Sequence, residues 1–248
     1  MKQDNPLFRR RALLATGLGA LALAGCESLL PGQGPPPRLY RLTPKTTYPD
    51  LPRVAWQLVV EPPAAQASID TPRIGLMLSP VRFDYYAQAN WVDRAPLMVQ
   101  SLIIESFDNS HAIVAVGRES IGLRPDYVLK SELREFQAES LDDRHIVNVA
   151  LHFKLVQMPE RVIVASAAFG KVVEAPLDQM GPVIEAFDEA LGKVLKDVVV
   201  WTLTEGQKAE ALRRKGLQRP DSTGASLSRP PLSRSTGTAR PIQRLARP

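Results

Sequence analysis

The chain has 248 residues, 44% of them hydrophobic, a single cysteine and a formal net charge of +5. That length suffices for one domain with a substantial core, and one cysteine excludes an internal disulfide framework or a thiolate-rich metal site. The charge sits at the ends: residues 1–25 carry +3 and residues 207–248 carry +8, which leaves −6 on residues 26–206 and gives no support to a basic nucleic-acid-binding domain.

The first 25 residues run in the order of a secretory signal. Arg9, Arg10 and Arg11 form a positive n-region, and "ALLATGLGALALAG" is an apolar stretch too short for a spanning helix. "LAGC" then resembles the bacterial lipobox, in which small residues precede a cysteine that is acylated and becomes the first mature residue. Cys26 is therefore the expected lipidation site; the competing reading is an uncleaved apolar anchor. The triple arginine also resembles a twin-arginine export signal, so Sec and twin-arginine routes both stay open. Residues 26–37, the lipidated cysteine and a stretch rich in Pro and Gly, read as a tether. Residues 38–205 have the texture of a globular domain. Residues 206–248, rich in Ser, Thr, Pro, Gly and Arg, read as a disordered basic tail.

Within the domain, apolar β-branched runs predict strands over 53–62 and 73–80. The alternation in 81–93 predicts a short strand pair around a turn near Gln88. "APLMVQSLIIESFDNS", 95–110, places Leu97, Val99, Leu102, Ile103 and Phe107 on one helical face, with Pro96 in the first turn. A short strand follows at 112–117. Residues 126–139 alternate with an imperfect apolar face. "HIVNVALHFKLVQM" and "RVIVASAAFGKVVEA" predict two long strands, joined as a hairpin across Pro159 and Glu160. Residues 177–204 repeat apolar residues at three- and four-residue steps and predict a long amphipathic helix. The fold class expected from this order is α+β, two-layer: a mostly antiparallel sheet with two helices packed on one face.

"LYRLTP", "GLMLSPVRFDYYAQANWVDRAPLMVQSLIIESFDNS", "DYVLKSELREFQAE" and "IEAFDEALGKVLKDVVVWTL", in this order after a lipobox, resemble the ABC-type transport auxiliary lipoprotein family. Its members are periplasm-facing lipoproteins that accompany MCE-domain lipid transport systems, including the paraquat-inducible intermembrane type. The resemblance spans about residues 23–205 and leaves the basic tail outside. It implies a non-enzymatic auxiliary role, no cofactor, and an MCE-domain protein as partner, and it leaves room for a homo-oligomer. The membrane is expected to be reached through the lipid, with no nucleic acid involved. Residue 27 is Glu, whereas an Asp there resembles an inner-membrane retention signal, so the inner leaflet of the outer membrane is the expected location.

No enzyme motif competes. The sequence has no HExxH, no GxSxG and no Gly-rich phosphate loop. His145 and His152 are seven residues apart, a step that suits paired ligation on neither a helix nor a strand face. Asp142 and Asp143 fall in an expected turn. Phe83, Tyr85, Tyr86 and Trp91 cluster within nine positions; they are either a partner-binding aromatic surface or aromatics that cap the core. The other function class is a structural envelope lipoprotein that binds peptidoglycan or an outer-membrane complex.

Overall fold

The computed structural model describes residues 36–119, 122, 124–141 and 144–217. Cys26, the signal and tether up to residue 35, Asp142, Asp143 and residues 218–248 lie outside the described residues. The strands are β1 Arg38–Tyr40, β2 Val54–Val60, β3 Ala64–Ala65, β4 Arg73–Ser79, β5 Arg82–Trp91, β6 Ile113–Gly117, β7 Tyr127–Leu141, β8 Arg144–Gln157 and β9 Val162–Glu174; the helices are α1 Ala95–Ser110 and α2 Met180–Leu217. The chain divides into two compact units after Ala209. Of the second unit, Glu210–Leu217 are described as the last turns of α2, where Arg213 lies 3.8 Å from Glu210.

β7 organises the sheet. On one edge it pairs antiparallel with β8 from Tyr127 opposite Gln157 to Leu141 opposite Arg144, and β8 pairs antiparallel with β9. The other edge of β7 is shared in succession by three parallel strands: β2 at Tyr127–Leu129, β3 at Glu132–Leu133 and β4 at Gln137–Glu139. β6 extends the β2 end in parallel, while β5 pairs antiparallel with β4 and β1 lies parallel to β5. The sheet is thus mixed: the long ladders are antiparallel and the parallel pairings are short. Two helices on such a sheet make the fold α+β, as the order of elements predicted.

One face of this sheet carries both helices. Met98, Val99, Leu102, Ile103 and Phe107 of α1 and Val183, Phe187, Leu191, Val194, Leu195, Val198 and Leu203 of α2 share a single core with Leu58, Leu129, Val147, Val149 and Leu151. Full burial of each such side chain contributes about 1.5–3 kcal/mol. At its centre Trp91, Phe136 and Phe187 meet with ring centroids 5.1–5.5 Å apart. The segment after β1 straps the two helices together. The Thr43 hydroxyl donates to the Asp188 carboxylate of α2 at 2.8 Å, and the Tyr48 hydroxyl donates to the Ser106 carbonyl of α1 at 2.8 Å.

Two sequence expectations change, and a third gains its physical cause. Residues 82–91 form one strand rather than a pair. Between Tyr85 opposite Gly75 and Asn90 opposite Arg73, residues Tyr86–Ala89 face Ile74 alone, and Gln88 takes φ 55° inside this bulge. The bulge supplies the turn-like signal while the chain carries on. The imperfect alternation of β7 has a similar cause. Leu133 pairs with Leu151 and Glu135 with Ala150, so Arg134 is an extra residue and the core-facing set shifts from Tyr127, Leu129 and Leu133 to Phe136 and Ala138. Finally, α2 continues to Leu217, so residues 206–217 are helical rather than part of the tail. "EGQKAEALRRK" is built largely of good helix formers, and Lys208 pairs with Glu205 one turn earlier at 2.7 Å. Among the described residues, no helix is long and apolar enough to cross a membrane.

Candidate functional site

Strand alternation gives every residue of the sheet one of two faces, and the face away from the helices is open to solvent at several of its side chains. At the β4–β5 end of that face lie Phe83 and Tyr85. Gly75 makes the place for Phe83: a Cβ there would stand 2.6 Å from Phe83 Cζ and 3.3 Å from Gln137 Cβ. The rings of Phe83 and Tyr85 meet edge-on, 5.5 Å between centroids. The Arg73 guanidinium lies 3.7 Å over the Tyr85 ring, and the Tyr85 hydroxyl donates to the Ser68 carbonyl at 3.1 Å. Both aromatics are half-buried, fixed in place and reachable from solvent.

Beside them, a polar ladder runs along the same face of β7. Gln137 is fully buried; its Oε1 accepts the Phe136 N–H at 2.7 Å, and its Nε2 donates to Glu139 Oε1 at 2.9 Å and to Glu135. Asn148 of β8 donates a second bond to Glu139 at 2.9 Å. These amides satisfy a carboxylate that is only 7% exposed, which makes the ladder a satisfied support rather than a reactive centre.

The four aromatics singled out from the sequence therefore separate. Phe83 and Tyr85 share the open face, but Trp91 is 1% exposed in the core and cannot touch a partner in the folded chain. Alternation puts Tyr86, next to Tyr85, on the core side, where its hydroxyl donates to the Leu177 carbonyl at 3.2 Å. Burial, and secondarily the nearby Asp178 carboxylate, pushes the Tyr86 phenol up from 10.0 to about 12. Its neutral form is favoured by folding, so its contribution is complete below pH 10 and is lost as the pH rises through about 12. Thermal melts across pH 9–12 are expected to show stability falling above pH 10, less steeply in Tyr86→Phe. An equal slope in that variant would count against this environment for Tyr86.

The histidines do not converge. His145 Nδ1 lies 3.3 Å from Ser140 Oγ, and His152 Nε2 lies 3.0 Å from Ser166 Oγ. Among the described residues, no group of three or more His, Cys, Asp or Glu is placed to hold a metal ion. His152, with Lys130, Glu132, Arg134 and Lys154, lines a shallow hollow of about 430 Å³ at the middle of the open face.

The fold and this face can be set against known proteins. The family model described as "ABC-type transport auxiliary lipoprotein component" matches residues 40–199. The crystal structure of protein XCC0632 from Xanthomonas campestris, of the family-model DUF330, is 31% identical with a TM-score of 0.67, covering 70% of this chain and 99% of that one. A crystal structure of an uncharacterised protein, 12% identical with a TM-score of 0.52 over 66% and 97% of the two chains, shares the fold. A curated relative from Bradyrhizobium diazoefficiens, an uncharacterised protein, is 29% identical over 199 residues, 77% of this chain; the chain spans about half of that relative's length, 52%.

Proposed function

The chain belongs to the ABC-type transport auxiliary lipoprotein family, and on that premise we propose that it is a lipid-anchored, periplasm-facing accessory that docks onto the MCE-domain assembly of an ABC-type lipid transporter. The family match over residues 40–199 carries this reading. The role is one of contact rather than catalysis. Acylated Cys26 supplies the attachment, and Glu27 after it favours the inner leaflet of the outer membrane. The tether up to residue 37 sets the distance between membrane and domain.

Two features of the fold supply a docking surface. The face away from the helices holds Phe83 and Tyr85 in fixed positions, and paired aromatics of this kind suit an interface anchor. β9 pairs with β8 alone among the described residues, so its outer edge is open along 13 residues, with Val162, Ile163 and Val172 more than half exposed. Such an edge accepts an added strand.

The test is co-purification of the full chain from membranes with an MCE-domain protein. Wild type is expected to retain the partner, and Phe83→Ala with Tyr85→Ala to lose most of it while the melting transition persists. Cys26→Ser is expected to give soluble or unprocessed protein. Wild-type protein that recovers no MCE-domain protein, or that brings down peptidoglycan instead, would replace this reading with that of a structural envelope lipoprotein.

A further inference from the structure

The β7–β8 register sets Val128 opposite Val156 and, two residues on, Lys130 opposite Lys154. β2 places Val59 beside Val128, and β9 places Ile163 beside Val156. An apolar row thus crosses four strands on the face away from the helices, with a pair of lysines along one side. Val59, Val128 and Val156 are 3–8% exposed and form a small core of their own, against which Met158 packs. They floor a hollow of about 500 Å³, within the range of roughly 300–1,000 Å³ usual for small-molecule sites.

The mouth of the hollow is charged. Lys130, Lys154 and Arg161 line it together with Glu61 and Glu119. Like charges directly opposite on a ladder repel, and only one lysine is neutralised within the chain: Lys130 Nζ sits 2.7 Å from Glu61. The side chains of Lys154 and Arg161 have no hydrogen-bond or ion-pair partner among the described residues. The register sets Lys154 on one side of the valine row and Arg161 beyond the other, where Glu119 is also without a side-chain partner among the described residues; an apolar floor with Lys154 at its edge matches a molecule with a hydrocarbon chain and one anionic head.

We infer that this hollow binds a single-chain anionic amphiphile, with its chain over Val59, Val128, Val156 and Ile163 and its carboxylate or phosphate head on Lys154. The size of the hollow suits one chain rather than an enclosed two-chain phospholipid. Such a site is separate from Phe83 and Tyr85, although Ile163 also lies on the open β9 strand; the amphiphile test is read without any transporter and the docking test changes Phe83 and Tyr85 alone, so failure of one leaves the other reading standing.

Calorimetric titration of the mature full chain carrying Cys26→Ser, so that no covalent acyl group competes, tests it. Laurate is expected to bind saturably at one site, and inorganic phosphate alone to give no heat. Lys154→Glu is expected to weaken laurate about tenfold or more, the scale of removing one charge-assisted hydrogen bond, while binding of uncharged lauryl alcohol is unchanged. Ile163→Trp, at a position 54% exposed and so compatible with folding, fills the hollow and is expected to weaken both ligands with the melting temperature preserved. No saturable laurate binding overturns the inference. So does laurate affinity that survives either the charge reversal or the Trp substitution in folded protein, and phosphate binding by itself reduces the site to a simple anion site.

Discussion

Trp91→Ala is expected to cost about 3–5 kcal/mol of folding stability, the range for deleting a large buried aromatic. Trp91 is 1% exposed at the end of β5, and its ring meets Phe187 of α2 edge-on at 5.1 Å and Phe136 of β7 at 5.5 Å. The substitution therefore removes a side chain shared between a short edge ribbon, the central strand and the long helix. Neighbouring side chains cannot collapse into the space without moving α2. Tyr85→Ala, six residues earlier on the open face, removes a ring that Arg73 and Phe83 flank from outside the core, and should cost much less. Urea unfolding of the two variants side by side is the measurement. Equal midpoints would place Trp91 outside the core and restore it as a candidate for partner contact. The comparison also guards the docking experiment: loss of a partner on changing Trp91 would report unfolding, and only Phe83 and Tyr85 can be altered to probe the surface.

The second large effect concerns two glycines of one helix that should respond with opposite sign. Ala is a better helix former than Gly by about 1 kcal/mol, so both substitutions gain locally. A Cβ on Gly192 meets nothing within 4 Å, and Gly192→Ala is expected to stabilise by roughly 0.5–1 kcal/mol. A Cβ on Gly206 would lie 2.5 Å from Trp56 Cζ2. Trp56 has no room to yield: it is 5% exposed and its ring packs edge-on against Tyr127, 4.9 Å away. Overpacking of this kind costs about 1–3 kcal/mol, so Gly206→Ala should lower stability on balance. Thermal or urea unfolding of the pair decides it, and a stabilised Gly206→Ala would show that α2 does not approach β2 this closely.

The same glycine illustrates how a composition boundary misleads. Gly206 opens the stretch that reads as tail, because from there on Ser, Thr, Pro, Gly and Arg replace large apolar residues. In the fold it is a buried point of closest approach between helix and sheet, and the helix runs on to Leu217. The missing side chain makes room for the indole on the opposite element, and sequence periodicity carries no information about that neighbour. Lys154 and Arg161 escaped notice for a related reason. Each looks like an ordinary solvated charge on a strand or turn, and only the pairing of β7 with β8 and of β8 with β9 sets them beside a valine row.

By itself the sequence determined the elements whose signals are local: the apolar runs of β2 and β4, both helices and their buried stripes, the β8–β9 hairpin, and the family resemblance carried by ordered motifs. These depend on side-chain periods of 2 and 3.6 and on nearby turn residues, all of which lie within one window of chain. Tertiary structure alone decided what rests on pairing across long separations. β2, β3 and β4 line up in parallel along one edge of β7, which lies about 60 to 70 residues further along the chain. Alternation looks the same whichever strand lies alongside, so register has no local signature. The bulges at Arg134 and over Tyr86–Ala89 then reassign faces partway along a strand. The β5 bulge sends Trp91 to the core side, where alternation already puts Tyr86, while Phe83 and Tyr85 stay on the open face, and nine neighbouring positions in sequence become two separate environments in space.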